Sequence, residues 1–350
     1  MSARPIRSYA KKVHAVLCET FACAVESLPQ DMSPQGMWAL KVLEEYNTRP
    51  AKRLRGSLAA AMYDEASGKE YSREGLELGA VMEVLQNYLL IIDDVMDRSA
   101  LRRGLPTVHE LYKTTREVSE HEAGMMAINV GLLAEQIAGI MTANIRVDAQ
   151  RLVHMNGVIH RNIAVTGLGQ MDDLCQASER PPTEAAVLHT YEQKSSYYTF
   201  INPLACGLAL AGRDDANHDI ERFGKPAGVA FQLHDDWLGI FGASDVTGKA
   251  NPDDIQEGKY TLLVQQALER LEGAERAVFQ KIIGNSSATA DDLRYVQDVL
   301  ESSGAAAYVR TRLETCAVQA KQAAREATAW RSGFGEQLCE LVDYAVERTW

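Results

Sequence analysis

The chain has 350 residues, 46% of them hydrophobic, which is enough for a substantial core in one or two domains, and only ten prolines interrupt it. Its formal net charge of −12 excludes a general nucleic-acid binder, which needs a basic face to meet phosphate. Six scattered cysteines without a CxxC pair are expected to be reduced thiols of a cytoplasmic protein.

The first twelve residues are basic, but no apolar core of signal-peptide length follows them. No run of about 18 apolar residues is read anywhere, so no stable membrane insertion is expected. Helical periodicity dominates from end to end. Helices are expected over 9–27, 37–46, 54–66 and 72–92, the last with Ser72 as its N-cap and Glu74 in its first turn. A loop at 104–106 precedes a short helical turn beginning near His109. Further helices are expected over 122–143, 148–170 and 184–211, with Thr183 capping the third after Pro181 and Pro182. A helix over 214–242 is expected to break near Gly224 and Pro226. The Gly-, Asp- and Pro-rich stretch 242–258 is a long loop inside helical sequence, and such loops tend to be functional. Helices over 260–271, 275–283, 290–302 and 304–329 complete the chain, with no repeat and no alternating β pattern. The reading is one all-α domain spanning residues 1–350.

Chemistry concentrates at the end of the fourth helix, in Asp93-Asp94-Val95-Met96-Asp97. Asp93 and Asp97 stand at i and i+4 and share a helix face. Carboxylates at the end of an apolar helix need a partner. Oxygen-only ligands favour a hard ion such as Mg²⁺, which keeps waters and bridges to substrate phosphates. Arg102 and Arg103 follow and suit the same phosphates through bidentate hydrogen bonds. The plain alternative is a solvated helix end with Asp97 paired to an arginine. A second acidic pair, Asp235-Asp236, closes another apolar helix, and two helix ends of this kind can line a carboxylate cavity. Basic groups complement them: Lys52 and Arg55 at the start of the third helix, Lys194 within an apolar helix, and Lys249 and Lys259 in the long loop. Lys52 and Arg55 also read as a solvated helix start, and Lys249 and Lys259 as ordinary loop lysines. Lys194 requires a partner in its apolar setting.

These residues resemble the trans-prenyl diphosphate synthases, the geranyl, farnesyl and geranylgeranyl diphosphate synthases of the isoprenoid-synthase fold. Residues 93–97 with Arg102-Arg103-Gly104 match that family's DDxxD motif and downstream RRG. Lys52-Arg53-Leu54-Arg55 is similar to its GGKRLRP segment, 170–173 to GQxxD, Lys194-Ser195 to its K-T/S pair, and 232–236 to the second aspartate motif. Thr247-Gly248-Lys249 fits the loop that follows, and family order and spacing hold from about residue 49 to 262.

The resemblance implies a helical bundle around a central cavity and a homodimer. It implies three Mg²⁺ ions per site on Asp93, Asp94, Asp97, Asp235 and Asp236. Arg102, Lys194, Gln232, Lys249 and Lys259 would hold an allylic diphosphate, and Lys52, Arg55, Gln86 and Arg103 would hold isopentenyl diphosphate. Asp93, Asp97, Lys194 and Asp235 would then promote ionisation, condensation and proton loss. Tyr88 and Leu89, just before the first motif, would set product length, favouring geranylgeranyl and then farnesyl diphosphate. The chain departs from the pattern at Ala51, Gly56, Gly239 and Ala243. These departures leave open a terpene cyclase or a prenyltransferase with another acceptor, and a non-catalytic partner subunit is the remaining alternative.

Overall fold

The structure, a computed structural model, describes residues 5–176, 182–242 and 253–347. A 3-10 turn, Ile6–Tyr9, leads into α1 (Ala10–Glu26). In α2 (Pro34–Thr48) Pro34 sits in the first turn, where its missing N–H costs nothing, and Ser33 caps the end by accepting from the Gly36 N–H at 3.2 Å. Then come α3 (Leu54–Ser67) and α4 (Arg73–Met96), the latter capped by Ser72 as expected. α5 (Val108–Arg116) precedes α6 (Glu120–Ala143), which opens on a reciprocal capping box between Ser119 and Glu122. α7 (Ala149–Gln176) and α8 (Glu184–Tyr191) run to a π-helical segment, Glu192–Ile201, which passes into α9 (Asn202–Leu210).

α10 (Asn217–Phe241) continues through Pro226, so the expected break does not occur. Gly224 and Gly228 let this helix press onto Ile201 and Ser196, and the Ser196 hydroxyl donates to the Lys225 carbonyl at 2.9 Å. Packing on that face holds the helix together across the proline. Of the long loop expected at 242–258, residues 253–257 form the single turn α11 (Asp253–Glu257), and 243–252 lie outside the described residues. α12 (Leu262–Arg270), α13 (Gly273–Ile282), α14 (Ala290–Ser302), α15 (Ala305–Glu326) and α16 (Ser332–Glu347) follow. The last was not anticipated, although Phe334, Leu338, Leu341, Val342 and Ala345 are buried at helical spacing.

A two-stranded hairpin also escaped the sequence reading: β1 (Leu101–Arg102) pairs antiparallel with β2 (Leu105–Pro106). Four residues in strand are too few to show a period of two. Among the described residues the fold is otherwise helical, as the sequence implied.

Contacts gather in two compact units, Met1–Ile159 with Pro203–Asp214, and His160–Asn202 with Asp215–Trp350, the first two divisions falling inside α7 and α9 and the third between α9 and α10. In the first unit α4 is the core helix, packed by α1, α3 and α6. Leu78 and Val84 of α4 are fully buried, each contributing about 1.5–3 kcal/mol. α4 and α6 are both long and apolar enough to cross a membrane by length and composition, which corrects the expectation that no such run exists. For α4 the reason is interior burial, since 72% of its most apolar window is enclosed; for α6 only 39% is. In the second unit α10 packs against the π-helical segment, α15 and α16, with Phe200 edge-on to Phe223 at 5.9 Å.

The α3–α4 crossing is unusually close. A Cβ built on Gly56 would lie 2.6 Å from the Gly79 carbonyl oxygen, and one on Gly79 equally close to that of Gly56. The Gly56 N–H donates to the buried Glu83 carboxylate at 2.9 Å, a bond that proline, usual at this place in the resembled pattern, cannot make. Gly56→Ala is therefore expected to lower unfolding free energy by about 1–3 kcal/mol, measured by urea denaturation; an unchanged midpoint would show that the helices separate without cost.

Candidate active site

The first cluster is built where α4 ends. At about 100° per residue Asp93 and Asp97 point the same way, while Asp94 turns toward the core. Burial follows that rotation: the Asp93 side chain is 24% exposed and that of Asp94 only 1%. The helix closes with the Ser99 N–H on the Asp94 carbonyl at 2.9 Å and the Arg98 N–H on that of Val95 at 3.4 Å. This is a Schellman ending with Arg98, at φ 53°, in the place usually taken by glycine.

The hairpin then turns back. Arg103 and Gly104 have φ of 56° and 73°, the double left-handed pair that a two-residue hairpin loop requires. Glycine takes that conformation freely, whereas Arg103 holds it at a cost of roughly 1–2 kcal/mol. The turn brings Arg102 against the helix end. Its Nε donates to Asp94 Oδ1 at 2.7 Å, its Nη2 bonds the same oxygen, and Nη2 lies 3.5 Å from Asp93 Oδ2. From α2 the buried Tyr46 hydroxyl donates to Asp94 Oδ2 at 3.1 Å. Desolvation pushes the Asp94 carboxyl above the usual carboxylate range, although Arg102 and the Tyr46 hydrogen bond act against it. Burial, and then the Asp94 charge, raise the Tyr46 phenol.

Around this core the basic segment is fixed from below. Arg53 caps α3 in the left-handed region at φ 50°; it is buried and pairs with Glu83 at 3.3 Å. It also donates to the Asn47 carbonyl at 2.6 Å and the Arg49 carbonyl at 3.1 Å. Removing either charge would strand the other in the interior, at about 3–5 kcal/mol. This frame sets Lys52 and Arg55, both half-buried, on either side of Arg53. Asn87 donates to Asn47 at 2.7 Å, joining α4 to α2, and Arg49 Nη1 donates to the Pro106 carbonyl at 2.9 Å, tying α2 to β2. Gln86 is buried on α4. Tyr88 and Leu89 are half-buried; burial and then Glu135 of α6 raise the Tyr88 phenol. Gly131 of α6 leaves room for Ile92 beside the Tyr88 backbone.

The second cluster lies within the other unit. The π-helical segment begins just before Lys194; such wider turns are common at functional sites. It presses on α7 at Gly169, where a Cβ would fall 2.5 Å from the Lys194 nitrogen. Lys194 Nζ donates to Asp173 of α7 at 2.6 Å, the partner its apolar setting required. The Ser195 hydroxyl donates to Gln232 Oε1 at 2.5 Å, and Gln232 Nε2 donates to Asp236 Oδ1 at 2.8 Å. The buried Tyr191 hydroxyl donates to Asp236 Oδ2 and accepts the Leu262 N–H at 2.9 Å. Burial, and then Asp236, push that phenol well up. Asp235 and Asp236 are both half-buried, and Lys259 pairs with Glu257 at 2.7 Å.

Asp93, Asp94, Asp97 and Arg102 thus come together at one helix end; Gln232 and Asp236 form one chain of hydrogen bonds with Ser195 and Tyr191, and Lys194, next to Ser195 in sequence, pairs with Asp173. Lys249 lies outside the described residues. Among the described residues no three His, Cys, Asp or Glu side chains converge to hold an ion unaided. Mg²⁺ does not demand such a cage, since it binds through one or two carboxylates with waters and phosphates. Sequence reasoning missed Tyr46, Tyr191 and Glu83. Glu83 carries a signal, an acid inside an apolar helix that needs a buried cation; the tyrosines carry none, because each meets its aspartate across more than forty residues.

Residues 37–300 match the family model described as polyprenyl synthetase. The chain is 30% identical over 305 residues to a geranylfarnesyl diphosphate synthase of Aeropyrum pernix, covering 85% of this chain and 90% of that one. A geranylgeranyl diphosphate synthase of Saccharolobus solfataricus is 28% identical over 266 residues, covering 74% and 76%. Among solved structures, a geranylgeranyl pyrophosphate synthase of Corynebacterium glutamicum complexed with isoprenyl diphosphate and magnesium superposes with a TM-score of 0.90 at 25% identity, covering 99% of this chain and 100% of that one. With that match reaching from α2 to α14 and carrying both aspartate pairs, the chain belongs to the polyprenyl synthetase family.

Proposed function

We propose that this protein is a short-chain prenyl diphosphate synthase, joining isopentenyl diphosphate head-to-tail to an allylic diphosphate. The observation that carries the reading is the carboxylate cluster at the end of α4 with Arg102 locked against it. Asp93, Asp97 and Asp235 offer oxygen donors that are half-exposed, a set suited to a hard divalent cation. We assign them to three Mg²⁺ ions, which when bound would neutralise charge building on the departing diphosphate. Asp94 and Asp236 stand beside them, each with both carboxylate oxygens accepting hydrogen bonds.

Arg102, Lys194, Gln232, Lys249 and Lys259 are assigned to the allylic diphosphate. Arg102 suits that role because only its Nε and Nη2 donors are turned to Asp93 and Asp94. The positive charge of Arg102 and the three lysines stabilises the leaving group as the carbon–oxygen bond breaks, which lowers the barrier to an allylic cation. Lys52, Arg55, Gln86 and Arg103 are assigned to isopentenyl diphosphate, orienting its double bond toward that cation. The adduct then loses a proton to the released diphosphate. Tyr88 and Leu89 are assigned to the limit on product length, with geranylgeranyl diphosphate favoured over farnesyl diphosphate.

A homodimer is part of the proposal. It is supported by α6, which turns Met125, Ile128 and Leu132 outward at 53%, 39% and 48% exposure, an apolar face a second copy would cover. The cytoplasm is the proposed location, supported by cysteines that are all free thiols, three of them exposed.

Incubation with Mg²⁺, isopentenyl diphosphate and each of the C5, C10 and C15 allylic diphosphates is expected to give linear products, with C20 dominant; no incorporation of isopentenyl diphosphate would sink the reading. Asp93→Ala is expected to lower the rate by several orders of magnitude, and near-normal turnover would remove its metal role. Tyr88→Ala is expected to lengthen the products, read by chromatography of the dephosphorylated alcohols. An unchanged distribution would mean that the ring does not limit the chain.

A further inference from the structure

The two aspartate pairs share a construction that the motif itself does not reveal. In each pair the first carboxylate is half-exposed, and the second accepts hydrogen bonds at both oxygens, one of them from a tyrosine on another element. At Asp94, Oδ2 accepts from Tyr46 of α2 and Oδ1 from Arg102 of β1. At Asp236, Oδ2 accepts from Tyr191 at the end of α8 and Oδ1 from Gln232, one turn earlier on α10. The two units arrive at the same device separately, with a buried tyrosine hydroxyl as the common part.

We propose that Tyr46 and Tyr191 are positioning residues, each holding the second carboxylate of its pair as a structural anchor so that the first is presented to metal. The inference rests on the diphosphate-synthase reading above. A carboxylate accepting bonds at both oxygens has its rotamer fixed, and its neighbour on the helix inherits a fixed azimuth. Rotating Asp94 outward to serve as a ligand would break its bonds to Tyr46 and Arg102 together. Asp94 and Asp236 are therefore assigned to the frame of the site and not to the ion.

Tyr191 does more than Tyr46. Its hydroxyl uses its one proton on Asp236 and accepts the Leu262 N–H, the first N–H of α12 and one that no helical carbonyl can reach. Lys259 lies three residues before that point. One phenol thus ties the second aspartate pair to the start of α12, three residues beyond Lys259, so that the spacing of Asp235 and Lys259 is set through Tyr191.

Mn²⁺ binding to the full-length protein with inorganic diphosphate, followed through the electron paramagnetic resonance signal of the free ion, tests the proposal. Tyr46→Phe and Tyr191→Phe are each expected to weaken Mn²⁺ binding by about 10–100-fold. Both should lower kcat while KM for isopentenyl diphosphate stays within about twofold, a split that general loosening of the fold would not give. Asp236→Asn still accepts the Tyr191 proton and is expected to bind Mn²⁺ within about tenfold of the parent, whereas Asp235→Asn loses the ion. Should one tyrosine variant fail to fold, the other, in a separate unit, carries the same test. Parental Mn²⁺ binding in the folded tyrosine variants, with loss in Asp93→Asn and Asp235→Asn, overturns the positioning role and leaves the diphosphate-synthase reading standing. Equal loss in Asp235→Asn and Asp236→Asn makes Asp236 a ligand and likewise overturns it. Parental binding in Asp93→Asn and Asp235→Asn removes the metal site itself and the inference with it.

Discussion

A carboxylate buried at the end of an apolar helix is the constraint on which the first unit depends. Asp94 is fully enclosed, so its charge must be answered by groups brought from elsewhere in the chain. Arg102 answers one oxygen, which requires a hairpin that reverses within two residues, which in turn requires positive φ at Arg103 and Gly104. Tyr46 answers the other, which fixes the end of α2 against α4. A motif that reads as a ligand cluster is therefore also the joint of three elements, and the strain at Arg103 is held by that joint.

The basic segment follows the same logic. Arg53 would be an unlikely residue to bury in a left-handed conformation were Glu83 not waiting on α4. The pair supplies little net stability of its own, because desolvation offsets most of its attraction. Its contribution is geometric: with Arg53 held inward, Lys52 and Arg55 on either side are set at one end of α3. The Gly56–Gly79 crossing permits the approach that Glu83 needs to reach both Arg53 and the Gly56 N–H.

In the second unit the device is a wider helical turn. The π-helical stretch places Lys194 against Asp173 and Ser195 against Gln232, and Gln232 hands its hydrogen bond on to Asp236. Such a chain aligns dipoles along one line, so the charge on Asp236 is held by polar groups that are themselves held. Diphosphate chemistry demands that rigidity, because its catalysis is positioning and electrostatics, and a preorganised site need not reorganise as charge moves.

Much of this was legible in the residues alone. Helical period, the caps at Ser72 and Thr183, and the two Asp-Asp pairs at helix ends are local properties, and local properties are written in neighbouring residues. The continuation of α10 through Pro226 was not legible, because the packing of Gly224 and Gly228 on the π-helical segment outweighs what proline does by itself. The two-residue strands were too short to show alternation, and α16 went unread although its apolar spacing was present. The hydrogen bonds that hold Asp94 and Asp236 were not legible either, because Tyr46 and Tyr191 lie 48 and 45 residues from the aspartates they bond. Residue type and spacing along the chain determined the chemistry on offer. Which carboxylate at the end of α4 faces solvent and which is tied inward was decided only by tertiary structure, since burial is a property of what packs against a residue and not of the residue itself.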